Sequence, residues 1–239
     1  MADLMRPIKF SITKVFYALK IFIMYTTFPG IVSNKKGPIK FGALEIIIIA
    51  LSSAIYAVLG IISAAIIIVP GIPLFYAPEG FILPATLWFG GWAGIGAFFG
   101  TLFASPFYGQ GYDLGILYGI CDLIVPFVGA YLIRKFKADI GLRNLKSLII
   151  FIVFGTIVNV LIEAFAGDTV SYGVGFYTLR FAYTLGVFAW FTGSFTGTLV
   201  IGGVLLRALT PYFEKSPLYS PVLFKRKEIQ EEKPIEGES

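Results

Sequence analysis

The run FILPATLWFGGWAGIGAFFGTLF, Phe81 to Phe103, decides how this chain would cross a membrane. Read as one helix, it is a single span of about the 20 residues that a bilayer core requires. Read as a hairpin turning at Phe89-Gly90-Gly91-Trp92, it is two short arms. Charge on either side settles the choice, because Lys and Arg collect on the cytoplasmic side of short membrane loops. Lys35, Lys36 and Lys40 precede the first long apolar segment. Arg134, Lys135, Lys137, Arg143 and Lys146 form a second cluster, and Arg207, Lys215, Lys225, Arg226 and Lys227 a third. All three clusters are expected in the cytoplasm, so the crossings between Lys40 and Arg134 must be even in number. One helix over 81–103 gives an odd number, and the hairpin gives an even one.

The remaining spans lie outward from that run. Ala43 to Val69 is the clearest, with Ile46-Ile47-Ile48-Ile49 and Ile66-Ile67-Ile68 ahead of Pro70-Gly71. Asp113 to Ile133, Ser147 to Ala166 and about Arg180 to Leu209 supply the others. The expected fold is an all-α integral membrane protein of six transmembrane helices, and the lack of a eukaryotic targeting signal points to a prokaryotic cytoplasmic membrane. Both termini are then cytoplasmic, and Arg180 is the only outer cation. The first hairpin arm, about 74–89, is short and holds Pro78 and Pro84. Such backbone is tolerated at membrane depth only when it is buried in protein or lines a cavity.

Three regions follow. Residues 1–40 form a cytoplasmic-side N-terminal segment, in which Lys9, Lys14 and Lys20 interrupt an apolar, aromatic stretch to Val32. An amphipathic helix lying on the inner leaflet fits that pattern better than a span. A cleavable signal peptide does not fit, because the lysines are spread through the apolar part. Residues 41–210 are the membrane domain. Residues 211–239 are a cytoplasmic tail, partly disordered from Lys225 to Ser239 because it is charged and poor in apolar residues.

Composition excludes several functions. Of 239 residues, 57% are apolar and 14% charged, against about 25% charged in a soluble domain. There is no histidine, and the single cysteine, Cys121, excludes an internal disulfide and a thiolate metal cluster. No Walker loop is present, so ATP-driven work would need another chain. No paired acidic motif on one helix points to metal chemistry. No metal site, no cofactor and no enzymatic activity are therefore expected. The net charge of +5 falls at membrane-flanking positions and does not suggest nucleic acid.

Small residues recur at helix-packing spacing: Ala50 and Ala54, Gly96 and Gly100, Gly111, Gly115 and Gly119, then Ala182, Gly186, Gly193 and Gly197. In lipid, such residues let helix backbones approach closely, and packing within one bundle accounts for each stripe alone. Together with Gly80-Phe81-Ile82-Leu83-Pro84-Ala85 leading to Phe89-Gly90-Gly91-Trp92-Ala93-Gly94-Ile95-Gly96, the pattern resembles the S components of energy-coupling factor transporters. Ile49-Ala50-Leu51-Ser52-Ser53-Ala54 looks like that family's AxxxA motif. The resemblance covers about residues 43–209 and implies an S-component-like bundle. It also implies capture of a vitamin-like micronutrient outside the cell, and docking on a membrane T component coupled to ATPase subunits. Ala50 and Ala54 would face that partner. More loosely, the glycine-rich segment resembles membrane-embedded sensor input domains. These normally precede a cytoplasmic signalling domain, and none is expected within this chain.

Ionisable residues inside spans prompt functional hypotheses. Asp122 shares the face of Gly115 and Gly119. It could meet a cationic ligand or carry a proton or sodium ion, or it could be a structural acid bonded to Thr192, Ser194 or Thr196. Asn159 and Glu163, four apart, make a polar stripe that could line a ligand pocket; alternatively Glu163 reaches interfacial water or pairs with Arg180. Arg180 suits a carboxylate or phosphate on a ligand, or pairs with Glu163 or Asp168. Glu79 is expected in an outer turn beside Phe75 and Tyr76, as part of a lid or as a solvated loop acid. Asp113 marks a helix start, and Tyr112 and Tyr172 read as interfacial anchors. Trp190, in the outer half of the sixth span, could stack on a ligand. The candidate substrate-binding set is thus Glu79, Asp122, Asn159, Glu163, Arg180 and Trp190. The leading reading is a subunit for micronutrient uptake. A solitary ion-coupled transporter working through Asp122 and a membrane sensor or scaffold are the alternatives.

Overall fold

The computed structural model describes residues 41–69, 71–220 and 222–224. The N-terminal amphipathic reading and the disorder expected after Lys225 lie outside the described residues. Among those described, four helices are long and apolar enough to cross a membrane: α1 (Ala43–Ser63), α4 (Tyr112–Lys135), α5 (Leu145–Gly173) and α6 (Leu179–Phe213). Two shorter helices lie between the first two, α2 (Ala77–Phe89) and α3 (Gly91–Ala104).

Side-chain sorting on α1 is the reverse of a soluble helix. Ser52, Ser53, Tyr56, Ala57, Gly60 and Ser63 are buried, whereas Ile46, Ile47, Leu51, Ile55, Val58 and Ile62 are exposed. With lipid as solvent, branched apolar side chains can face outward, and small or polar ones pack inside. Gly96 and Gly100 show how tight that packing is. A Cβ on Gly96 would lie 2.5 Å from the Ser52 side chain, and one on Gly100 2.6 Å from the Tyr56 ring. This glycine pair therefore serves packing between α1 and α3. Ala50 and Ala54 sit on the opposite, exposed side of α1.

The first span ends earlier than the hydropathy suggests. The helix stops at Ser63, and Ile67–Val69 (β1) pairs antiparallel with Ile72–Pro73 (β2) across a turn in which Gly71 takes φ +82°. The β-branched run Ile66-Ile67-Ile68 before Pro70-Gly71 suits a strand and turn. Average hydropathy cannot separate that from helix.

Between α2 and α3 the chain turns at Gly90, at φ +87°. A Cβ there would be strained and would lie 2.7 Å from the Leu223 carbonyl. The hairpin reading of 81–103 thus describes the chain's path. At 13 and 14 residues, each arm is about 20 Å long, short of a ~30 Å bilayer core. Pro78 falls in the first turn of α2, where its missing N–H is harmless, and Pro84 lies inside the helix. Nearly all of α2 is buried, as a proline-containing segment at membrane depth must be.

The loops gather at two ends. At the turn end Gly71, Gln110 and Phe176 come together. At the basic end Arg143 pairs with Glu214 at 2.5 Å, and Arg207 donates to the Leu142 carbonyl at 3.0 Å. The Glu214 hydrogen bond pushes the exposed Arg143 guanidinium up from its ordinary pKa. Beyond α6, residues 214–220 and 222–224 fold back as a strap. Ser220 N donates to Trp88 O at 2.7 Å and Gly91 N to Leu223 O at 2.6 Å. Arg134 bridges Leu87 O and Ser220 O, both at 3.1 Å. Phe224 is buried against Gly91, Trp92 and Phe127. This part of the expected tail is ordered because its apolar residues cap the hairpin turn.

Candidate functional site

The centre of the bundle holds three acids from three helices. Glu79 lies in the first turn of α2, where the helix dipole favours a carboxylate. Asp122 comes from α4, just before the π-turn Val125–Gly129 around Pro126. Glu163 comes from α5. All three residues are buried, and one carboxylate oxygen of each lies within 4.8 Å of those of the other two.

Hydroxyls and an indole hold them. Tyr56 Oη donates to Glu79 Oε1 at 2.8 Å and also lies 3.1 Å from Asp122 Oδ2. The Thr101 hydroxyl donates to the same Asp122 oxygen, and Tyr76 Oη reaches it at 3.5 Å. Trp190 Nε1 donates to Glu163 Oε1 at 3.0 Å. No Lys or Arg among the described residues pairs with any of the three acids. Glu79 Oε2, Asp122 Oδ1 and Glu163 Oε2 meet no donor from any surrounding residue, and the Asp122 and Glu163 carboxyls lie within hydrogen-bond reach of each other, so that a shared proton can bridge them. Three negative charges this close, in low dielectric, require compensation by protons or a cation.

Close backbone crossings put these groups in register. A Cβ on Gly80 would lie 2.5 Å from the Ile201 side chain and also meet the Gly197 carbonyl, while one on Gly197 would collide with the Tyr76 carbonyl. Tyr76 N donates to Gly193 O at 3.0 Å. The glycines of α6 thereby clamp the segment that carries Tyr76 and Glu79. The Trp190 ring lies against Gly167 of α5 and tilts over Tyr118, centroids 5.5 Å apart.

A cavity of about 40 Å³ runs from Gly71 and Gln110 at the turn end down to Thr101, Tyr118, Asp122 and Trp190. At ~10–15 Å³ per water, it has room for roughly three waters, whereas pockets for drug-sized ligands are typically ~300–1,000 Å³.

The structure thus gathers Glu79, Asp122, Glu163 and Trp190, and separates the other candidates. Glu79 is a buried helical acid, neither lid nor solvated loop residue, because the Gly80–Gly197 crossing draws the start of α2 into the bundle. The hydroxyls on Asp122 are Thr101, Tyr56 and Tyr76. Thr192 and Thr196 instead bond carbonyls of their own helix. Asn159 is buried and donates to Val125 O and Gly155 O at 3.0 and 3.3 Å, so it braces the π-turn of α4. Arg180 is exposed and pairs with neither Glu163 nor Asp168, both fully buried. Asp168 instead faces Gly186, with neither carboxylate oxygen partnered. Glu79, Asp122 and Glu163 lie on three different helices, so the spacing that could hold a metal ion leaves no local sequence motif. Tyr56, Tyr76 and Thr101 were not among the sequence candidates. Their signal was slight, a hydroxyl within otherwise apolar runs.

Lipid-facing apolar helices around a buried polar centre define a multi-pass integral membrane protein. Residues 44–226 match the MASE1 family, and the chain belongs to it. MASE1 is a membrane-associated sensor domain. No curated protein and no solved structure matches the chain.

Proposed function

We propose that the chain is a sensory input module. Occupancy of the buried acid centre is converted into a change in the strap, residues 214–220 and 222–224, at the basic end. The observation that carries this reading is the family match over 44–226, which spans both the acid centre and the strap. The α2–α3 hairpin adds two crossings to the four long helices, for six in all. The basic end, with the strap and the Gly90 turn, faces the cytoplasm of a prokaryotic cell by the positive-inside rule. The turn end, where the cavity opens, faces outward.

The test fuses the full chain to a cytoplasmic reporter enzyme that lacks its own input. Phe224→Ala removes a buried anchor whose loss costs about 3–5 kcal/mol, here confined to the strap. Hydrogen exchange at Ser220–Phe224 should quicken, and the reporter should lose its dependence on the membrane part. A reporter indifferent to both Phe224→Ala and Asp122→Asn would refute the reading.

One observation favours the substrate-capture reading: Ala50 and Ala54 are exposed on α1, open to a T component. The small cavity weighs against a vitamin-sized ligand. Under that reading a membrane T component and ATPases co-purify with the chain, and Ala50→Trp abolishes their retention. Their absence from a gentle native purification would remove it. A solitary carrier coupled through Asp122 would instead show gradient-driven uptake in vesicles.

A further inference from the structure

We infer that Glu79, Asp122 and Glu163 form a binding site for one hard divalent cation of the calcium–manganese class. The candidate ligands are all oxygen: three carboxylates, the Thr101 hydroxyl and cavity water; the buried Cys121 beside Asp122 in sequence is not part of the group whose ligand atoms lie within 4.8 Å of one another. Such a set selects hard cations over zinc or copper. The spacing agrees. Metal–oxygen distances of ~2.3–2.6 Å place opposed ligands about 5 Å apart, and the three oxygens lie within 4.8 Å of one another.

The unpartnered oxygens make the stronger argument. Each acid keeps one buried oxygen without a donor, although Tyr56, Thr101 and Trp190 already serve its other oxygen. Buried polar atoms are seldom left in that state. Donors from surrounding residues serve one oxygen of each acid, and beyond a proton that Asp122 and Glu163 can share, the other oxygens meet none. Three carboxylates holding one shared proton and one divalent cation are electrically neutral, the arrangement a low-dielectric interior favours. Asp122 also lines the floor of the cavity, whose size admits an ion with a few waters and little more. Trp190, bonded to Glu163 and lining the same cavity, would report occupancy.

Only the idea that this cation is the sensed signal rests on the proposed function; binding stands apart from it. The experiment titrates Mn²⁺ into metal-free full-length protein in nanodiscs, followed by electron paramagnetic resonance and Trp190 fluorescence. Trp88→Phe and Trp92→Phe remove the other two indoles. One Mn²⁺ per chain is expected, displaced by Ca²⁺. Asp122→Asn and Glu163→Gln should each weaken it by more than the ~10–100-fold typical of an outer-shell loss, and Tyr56→Phe by about that amount. Tyr56→Phe keeps every ligand and the ring packing, so it serves as the readout should a carboxylate variant fail to fold. Absence of stoichiometric Mn²⁺ binding to the wild-type protein, or binding unmoved by Tyr56→Phe and by every carboxylate variant that folds, would overturn the inference. Saturable binding with no reporter response would leave the site intact and count against the cation as the signal.

Discussion

Gly197→Ala is expected to destabilise the protein by at least about 3 kcal/mol, the upper end for overpacking a closed interior. A single methyl at this position collides with the Tyr76 carbonyl. The opposing group is backbone, so no rotamer change relieves the contact. Retreat of α6 would break the Tyr76 N to Gly193 O bond and loosen the start of α2, with Glu79 in its first turn. Thermal unfolding in detergent, followed by tryptophan fluorescence, provides the measurement. Gly111→Ala is the control, since nothing lies within 4 Å of the added carbon. As Gly111 precedes the first residue of α4, its loss should cost no more than about 1 kcal/mol, the scale of a helix cap. Equal effects from the two substitutions would contradict the crossing described here.

These two glycines also mark what the sequence can express. Both belong to stripes of small residues four apart, and spacing alone gives them equal weight. One is a backbone crossing and the other faces open space, a difference set by the neighbouring helix. Parity of the basic clusters is a different kind of information. It constrains the whole chain at once, and it was enough to place a turn at Phe89-Gly90-Gly91-Trp92. Hydropathy carried Ala43 to Val69 as one unit because a β-hairpin of isoleucines and a helix of isoleucines have the same mean. The acid centre was legible only as separate residues. Glu79, Asp122 and Glu163 each stood out as ionisable groups in apolar surroundings, but their meeting depends on three helices far apart in the chain. In the sequence Glu79 falls in the outer turn after the first span, beside Phe75 and Tyr76. Pro78 in fact occupies a helical first turn, and Gly80 is the contact that draws the segment inward.

Asp122→Asn is expected to raise the stability of the cation-free protein, against the usual trend that a substitution at a fully buried polar site destabilises. The sign separates two physical readings of the centre. If Asp122 were a structural acid, its bonds from Thr101 and Tyr76 would favour the carboxylate, and the amide would weaken them. If the centre is built to receive a cation, its three acids are mutually unfavourable without one. The asparagine Oδ1 keeps an acceptor for the same hydroxyls. Its Nδ2 brings donors into a centre where Glu79 Oε2 and Glu163 Oε2 meet none from surrounding residues. One formal charge is also removed from a site with no Lys or Arg partner. A gain of about 1–2 kcal/mol is expected, within the range found when functional strain is relieved, or roughly 2–8 °C in Tm for a chain of this size. Saturating Ca²⁺ should reverse the order. The wild-type protein gains stability with ligand concentration, by about 2.7 kcal/mol at one hundred times Kd, and the variant gains little. Differential scanning fluorimetry with EDTA and then with Ca²⁺ gives both signs in one preparation. A variant less stable than wild type under EDTA would mark Asp122 as structural, because it would show that the hydroxyl bonds outweigh the repulsion among the acids.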